Sequence, residues 1–227
     1  MSKMAFVYPG QGVQNPGMGA DFYKESKEAE QIYNEAESIL DFDIKKVYFE
    51  ENDLINNTEY TQAALVTTYL AITGEVIKRE IFPDVTAGLS LGEYGAICVA
   101  GGMNEKEAIS LVRKRGIYMN NAVPEGFGGM TAVLGLNKED IDNVLREKDG
   151  VSVANYNCPG QIVITGSVEA IESSVPDLKK LGARCVKLKV RGPFHSPYLK
   201  EAGEKLGRDL EKVTFNNISI PYVSNVT

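Results

Sequence analysis

One serine, Ser90, stands at the centre of Gly88-Leu89-Ser90-Leu91-Gly92, and the chain holds a single histidine, His195. Gly-x-Ser-x-Gly is the pattern of a nucleophile elbow, a sharp strand-to-helix turn that presents a hydroxyl for attack. A serine hydroxyl is a weak nucleophile until a base takes its proton, and imidazole, which titrates near neutral pH, is the usual base. With twelve serines and 22 glycines in 227 residues, composition alone would produce about 0.1 such pentapeptides, so the pattern is informative and its surroundings must complete it.

In a Ser–His scheme His195 Nε2 would accept the Ser90 proton and return it to the leaving group or the incoming acceptor. The oxyanion formed on attack needs preorganised donors. The backbone N–H of Leu91, at the start of the elbow helix, is one, and the loop holding Gln11 is the other. No motif nominates a third triad member among the 31 acidic residues. A plain tight turn at Ser90 and a structural histidine at 195 remain open alternatives at this level.

These residues depend on the elements around them. Ala5 to Tyr8 reads as a strand ended by Pro9-Gly10-Gln11-Gly12, followed by a helix near Phe22 to Leu40. Thr61 to Arg79 carries Leu65, Tyr69, Ile72 and Val76 at helical spacing. Val85 to Ala87 is a short strand feeding the elbow, and Glu93 to Ala100 a helix stopped by Gly101-Gly102, which is the strand–turn–helix context the motif requires. Asn104 with Glu107 forms a capping box for a helix to about Asn120, whose apolar stripe is Ala108, Leu111, Val112 and Met119. Arg115 lies in that stripe, where a guanidinium must meet an anion or hydrogen-bond acceptors. An internal carboxylate and the carboxylate of a substrate satisfy this equally.

Past the glycine-rich 126–129 segment, strands and helices alternate. A strand runs from Met130 to Leu136, and a helix capped by Asn137 follows to about Lys148. Strands at Val151 to Tyr156 and Gln161 to Thr165 flank Cys158-Pro159-Gly160. A helix capped by Ser167 runs to Leu181, and a last strand covers Cys185 to Val190. The order β-α-β-β-α-β is that of a ferredoxin-like unit. A helix from about Pro197 to Val213 and a strand at Ile220 to Ser224 follow. The fold class predicted is α/β: an α/β-hydrolase-like large domain with a parallel sheet (1–126 and 192–227), interrupted by a small ferredoxin-like α+β insert (127–191).

Composition is that of a globular chain, with 43% hydrophobic and 24% charged residues. No apolar run approaches a membrane span and no signal peptide is visible. Cys98, Cys158 and Cys185 lack metal-ligand or CxxC spacing, so reduced thiols in a cytoplasmic protein, and no metal site, are expected. A net charge of −7 argues against nucleic acid as the main partner. Lys179, Lys180, Arg184, Lys187, Lys189 and Arg191 form a local basic stretch, suited either to an acidic partner or to a solvated face.

The chain resembles the acyltransferase family of fatty-acid and polyketide synthesis, typified by the malonyl-CoA:acyl carrier protein transacylases. The resemblance is collinear from Met4 onward. It is carried by Phe6 to Gln14 (FVYPGQGVQ), Gly88 to Tyr94 (GLSLGEY), Arg115-Gly116, Asn155 to Gln161 (NYNCPGQ) and Gly192 to Ser196 (GPFHS). It implies that Ser90 takes malonyl from coenzyme A as an acyl-enzyme and passes it to the phosphopantetheine thiol of acyl carrier protein. It implies Arg115 as the partner of the malonyl carboxylate, the N–H groups of Gln11 and Leu91 as the oxyanion hole, and His195 as base. Asn155 or Asn157 would lie nearby, and no cofactor is implied beyond the coenzyme A thioester itself. The family orients its histidine with backbone carbonyls, which accounts for the missing third member. Leu91 after the serine and Phe194 before the histidine go with malonyl over methylmalonyl.

The family usually has histidine before the nucleophile, where this chain has Leu89; that position is not the base. A serine hydrolase such as a thioesterase, and a non-catalytic carrier-binding fragment, are the competing readings; Arg115 suits a dicarboxylic half-ester and has no role with plain fatty acyl groups. The family pattern continues for roughly another quarter of its length beyond Thr227. The 227-residue chain by itself is therefore expected to be poorly active and to aggregate through unpaired sheet edges. A monodisperse, fully active preparation, judged by light scattering and turnover, would overturn this.

Overall fold

The structure, a computed structural model, describes residues 3–226. The chain runs through β1 (Ala5–Tyr8), α1 (Ala20–Glu25), α2 (Lys27–Ile39), α3 (Ile44–Phe49), α4 (Thr58–Lys78), β2 (Val85–Gly88), α5 (Gly92–Val99) and α6 (Glu105–Asn120). It continues as β3 (Gly128–Leu134), α7 (Lys138–Arg146), β4 (Val151–Cys158), β5 (Gln161–Ser167), α8 (Val168–Lys180), β6 (Arg184–Lys187), α9 (Lys200–Leu210) and β7 (Tyr222–Val223). It divides into two compact units, Met1–Ile117 with Leu206–Thr227 and Tyr118–Lys205.

In the first unit β1, β2 and β7 form a parallel sheet in that order, the arrangement of an α/β fold. The central helix is α4. The sequence suggests one apolar stripe on it, yet nearly every residue from Thr58 to Ala71 is buried, so it is covered all round. Its threonines make that burial tolerable. Thr67 and Thr73 hydroxyls donate to the carbonyls four residues back at 2.8 and 2.7 Å. Thr68 and Thr73 also bond the Tyr33 and Tyr8 hydroxyls at 2.7 and 3.1 Å, and Tyr48 donates to the Thr61 carbonyl at 3.1 Å. Burial pushes the Tyr33 and Tyr48 phenols above their ordinary pKa.

The single helix expected over 22–40 is two helices. Ser26 ends α1 and caps α2, accepting from the Ala29 N–H at 3.2 Å, while its hydroxyl donates to Glu75 on α4 at 2.7 Å. A serine side chain that competes for backbone donors restarts the helix, and the tertiary bond to Glu75 fixes the break. Likewise the helix expected from Pro197 is a short 3-10 turn, Pro197–Leu199, leading into α9. The last strand shrinks to Tyr222–Val223, with Pro221, which has no N–H, supplying only its carbonyl to Thr86 at 3.0 Å.

The second unit is an antiparallel sheet of order β4-β5-β3-β6, which is the ferredoxin-like arrangement of its β-α-β-β-α-β order. Asn137 and Ser167 cap α7 and α8, accepting from the Asp140 and Ala170 N–H groups at 2.9 and 3.2 Å. Both helices pack on one sheet face, on Val133, Ile162 and Ile164. On the other face Met130 and Val163 meet Met119, Phe194 and Leu199. That second layer is why this unit extends to 118–205, beyond the 127–191 expected from the sequence alone.

Gly116 lets α6 cross α4 closely: an added Cβ would stand 2.8 Å from the Thr58 carbonyl oxygen and 3.0 Å from Glu59 Cα. Gly116→Ala should therefore cost about 1–3 kcal/mol. Gly203→Ala, on an exposed turn of α9 with nothing within 4 Å of the new methyl, should instead add about 0.5–1 kcal/mol. Urea unfolding of both variants checks the opposite signs.

Candidate active site

Among the described non-glycine residues, positive φ occurs at Glu80 (62°), Ser90 (53°) and His195 (59°). Glu80 closes α4, with its N–H on the Ile77 carbonyl and the Ile81 N–H on Val76. The other two are the residues nominated as nucleophile and base. Left-handed backbone at a side-chain-bearing residue is costly and persists where surrounding structure enforces it.

At Ser90 the enforcement is steric. A Cβ on Gly88 would overlap the Gly92 carbonyl, and one on Gly92 would overlap the Tyr8 carbonyl. Only glycine permits β2 to turn this tightly into α5 against the end of β1. The Leu89 N–H donates to the Tyr8 carbonyl at 2.9 Å, tying the elbow to β1. The Gly92, Glu93 and Tyr94 N–H groups donate back to Leu89, Ser90 and Leu91 at 2.9, 3.2 and 3.2 Å, with the Leu91 N–H outside this ladder. Leu91 itself is buried in the core. Gln11 follows β1 at the same carboxyl end of the sheet, where ligands bind in open α/β folds. Its side-chain amide donates to Thr58 Oγ1 at 3.0 Å.

Arg115 reaches this point from α6. Its Nη2 donates to Ser90 Oγ at 2.9 Å and its Nη1 to Gln62 Oε1 at 2.6 Å. Both partners are neutral, so the cation's charge is not cancelled by either. Burial lowers the guanidinium pKa from its ordinary value, with Tyr94 and Glu93 opposing that shift. Arg113, two residues earlier, shows the contrast. It pairs with both Asp41 oxygens at 2.7 and 3.0 Å, donates to the Glu59 carbonyl at 2.6 Å, and lies 5.0 Å from the ring centres of Phe42 and Tyr60. Arg113 is a neutralised structural cation; Arg115 is held by an amide and the elbow hydroxyl. Gln62, fully buried on α4, was not singled out from sequence, although an amide amid TQAALVTTYL is the one signal that marks it.

The remaining predicted residues lie in the second unit. Phe194 is buried against Met119, Met130 and Val163, anchoring the segment in which His195 is exposed. Asn155 pairs with Val163 across β4 and β5 and so shares the sheet face that Phe194 covers. Asn157 falls in a register shift of β4 and donates to Gln161 Oε1 at 3.0 Å. The three cysteines are free, and burial raises the Cys98 and Cys185 thiols. Among the described residues no acidic, cysteine or histidine cluster has metal-binding geometry, and no helix is long and apolar enough to cross a membrane.

Residues 5–227 match the acyl transferase domain family. The malonyl CoA-acyl carrier protein transacylase of Bacillus subtilis (strain 168) is 42% identical over all of this chain and 74% of its own length. The solved malonyl CoA-acyl carrier protein transacylase of Clostridium perfringens superposes with a TM-score of 0.94 at 39% identity, covering 99% of this chain and 72% of that one. A malonyl-transacylase solved in complex with a type II polyketide-synthase acyl-carrier protein gives 0.93 at 38% identity, over 99% of this chain and 74% of that one. With the elbow, the arginine on its hydroxyl and these likenesses in agreement, the chain belongs to the acyl transferase family, among the malonyl CoA-acyl carrier protein transacylases.

Proposed function

We propose that this protein transfers a malonyl group from malonyl-CoA to the phosphopantetheine thiol of acyl carrier protein, in fatty-acid biosynthesis, through an acyl-enzyme on Ser90. The observation that carries the proposal is the Arg115 guanidinium, 2.9 Å from Ser90 Oγ and 2.6 Å from the neutral Gln62 Oε1. A malonyl unit has its free carboxylate one methylene away from its thioester carbonyl. A carboxylate bidentate on Arg115 draws the guanidinium off Ser90 Oγ and leaves the thioester carbonyl beside the freed hydroxyl.

In the first half-reaction Ser90 Oγ attacks that carbonyl as its proton passes to His195 Nε2. The oxyanion is held by the Gln11 and Leu91 N–H groups. Collapse breaks the C–S bond, and the coenzyme A thiolate takes the proton from His195 and leaves as the thiol. In the second, the carrier's thiol gives its proton to His195 and attacks the malonyl ester, and Ser90 leaves with that proton restored. Asn155 or Asn157 contributes to substrate binding, and Phe194 disfavours an α-methyl group. No cofactor takes part, and the reaction belongs to the cytoplasm. Hydrolysis by the same Ser–His pair is the less favoured reading, since plain acyl esters would give Arg115 nothing to bind.

Intact-protein mass spectrometry after brief mixing with malonyl-CoA should show a malonyl adduct that is absent in Ser90→Ala. In Arg115→Ala the malonylation rate should fall by about 100-fold or more, two charge-assisted hydrogen bonds being lost, with little change for acetyl-CoA. An adduct retained in Ser90→Ala, or equal losses for the two thioesters, would defeat the assignment. Phe194→Ala should relax discrimination against methylmalonyl by no more than about 1–3 kcal/mol, while destabilising the fold by about 3–5 kcal/mol; competition kinetics and thermal unfolding read the two effects separately.

A further inference from the structure

The backbone ladder between β2 and β7 ends at the Ala87–Val223 pair, just before the chain turns through the elbow. Two residues on, a side chain takes over. Asn225 Oδ1 accepts the Ser90 N–H at 2.6 Å, and its Nδ2 donates to the Gly88 carbonyl at 2.5 Å. The Asn225 backbone N–H donates to Glu93 Oε1 at 3.2 Å, on the first turn of α5. One residue thus bonds both arms of the elbow and the helix that follows it.

The chemistry of the match is specific. Gly88 offers an acceptor and Ser90 a donor, and of the residues with short side chains only a carboxamide carries both a donor and an acceptor on one rigid plane. These bonds oppose relaxation of Ser90 from its φ of 53°, a left-handed conformation that a side-chain-bearing residue keeps only where its surroundings enforce it. They also occupy the Ser90 N–H, which removes it from the donors that can face a developing oxyanion and assigns that role to the Leu91 N–H. Asn225 approaches Ser90 through its backbone, whereas Arg115 contacts Ser90 at its hydroxyl, so the two act on different properties of the same serine.

We infer that Asn225 is a positioning residue for acyl transfer: it locks the elbow so that Ser90 Oγ and the Leu91 N–H hold their reactive geometry whatever the acyl group. This rests on Ser90 being the nucleophile. The role predicts a loss of rate without a loss of active molecules and without acyl selectivity.

The test is rapid-quench mixing of wild type, Asn225→Ala and Asn225→Asp with malonyl-CoA and with acetyl-CoA, following the Ser90 adduct by intact mass. Asn225→Asp keeps the shape and the acceptor for the Ser90 N–H but, when ionised, cannot donate to Gly88, and it decides the matter if Asn225→Ala fails to fold. The expected result is an adduct amplitude equal to wild type, with the acylation rate constant reduced about 10- to 100-fold by the same factor for both thioesters. An unchanged rate constant, with or without reduced amplitude, would show Asn225 to be merely structural and overturn the inference. So would a loss confined to malonyl-CoA, which would instead place it with Arg115. A wild type that forms no adduct on Ser90 would overturn the nucleophile assignment, and the inference with it.

Discussion

The site hangs on one backbone constraint, the left-handed turn at Ser90 between β2 and α5. That turn exists only because Gly88 and Gly92 let the backbones of β1, β2 and α5 meet where any side chain would collide. The parallel sheet and the tightly buried α4 supply the rigid surroundings that keep it from relaxing. The packing around the elbow thus opposes relaxation of the left-handed serine, a geometry fixed by the fold itself.

Charge is arranged on the same principle. Two arginines two residues apart on α6 meet opposite fates, and the difference lies in what the neighbouring elements present. Asp41 and two aromatic rings receive Arg113. Gln62 and Ser90 receive Arg115. An amide can orient a guanidinium without neutralising it, which is the arrangement the proposed carboxylate-binding role of Arg115 requires. Gly116, beside it, brings α6 close enough to α4 for that contact to form.

In the smaller unit, Phe194 ties the histidine segment into the sheet face opposite α7 and α8. Its burial gives the residue before His195 a packing role in addition to the steric one proposed for it. The left-handed φ of 59° at His195 is maintained next to that anchor, so both of the residues read as nucleophile and base adopt conformations that only tertiary packing stabilises.

The features legible in the sequence are those whose determinants lie within a few residues. The strand–turn–helix at Ser90, the Asn104–Glu107 box, with the Glu107 N–H on Asn104 at 2.9 Å, the Asn137 and Ser167 caps and the ferredoxin-like order are all of this kind. Caps and turns are local hydrogen bonds and periodicity is local geometry, so residue types and spacing suffice to specify them. The break at Ser26, the contrast between Arg113 and Arg115, and the parts played by Gln62 and Asn225 were decided by the tertiary structure. Gln62 meets Arg115 across 53 residues of chain and Asn225 meets Ser90 across 135. An amide so far away has no spacing that marks it, because its partner is chosen by how helices and strands pack and not by its neighbours along the chain.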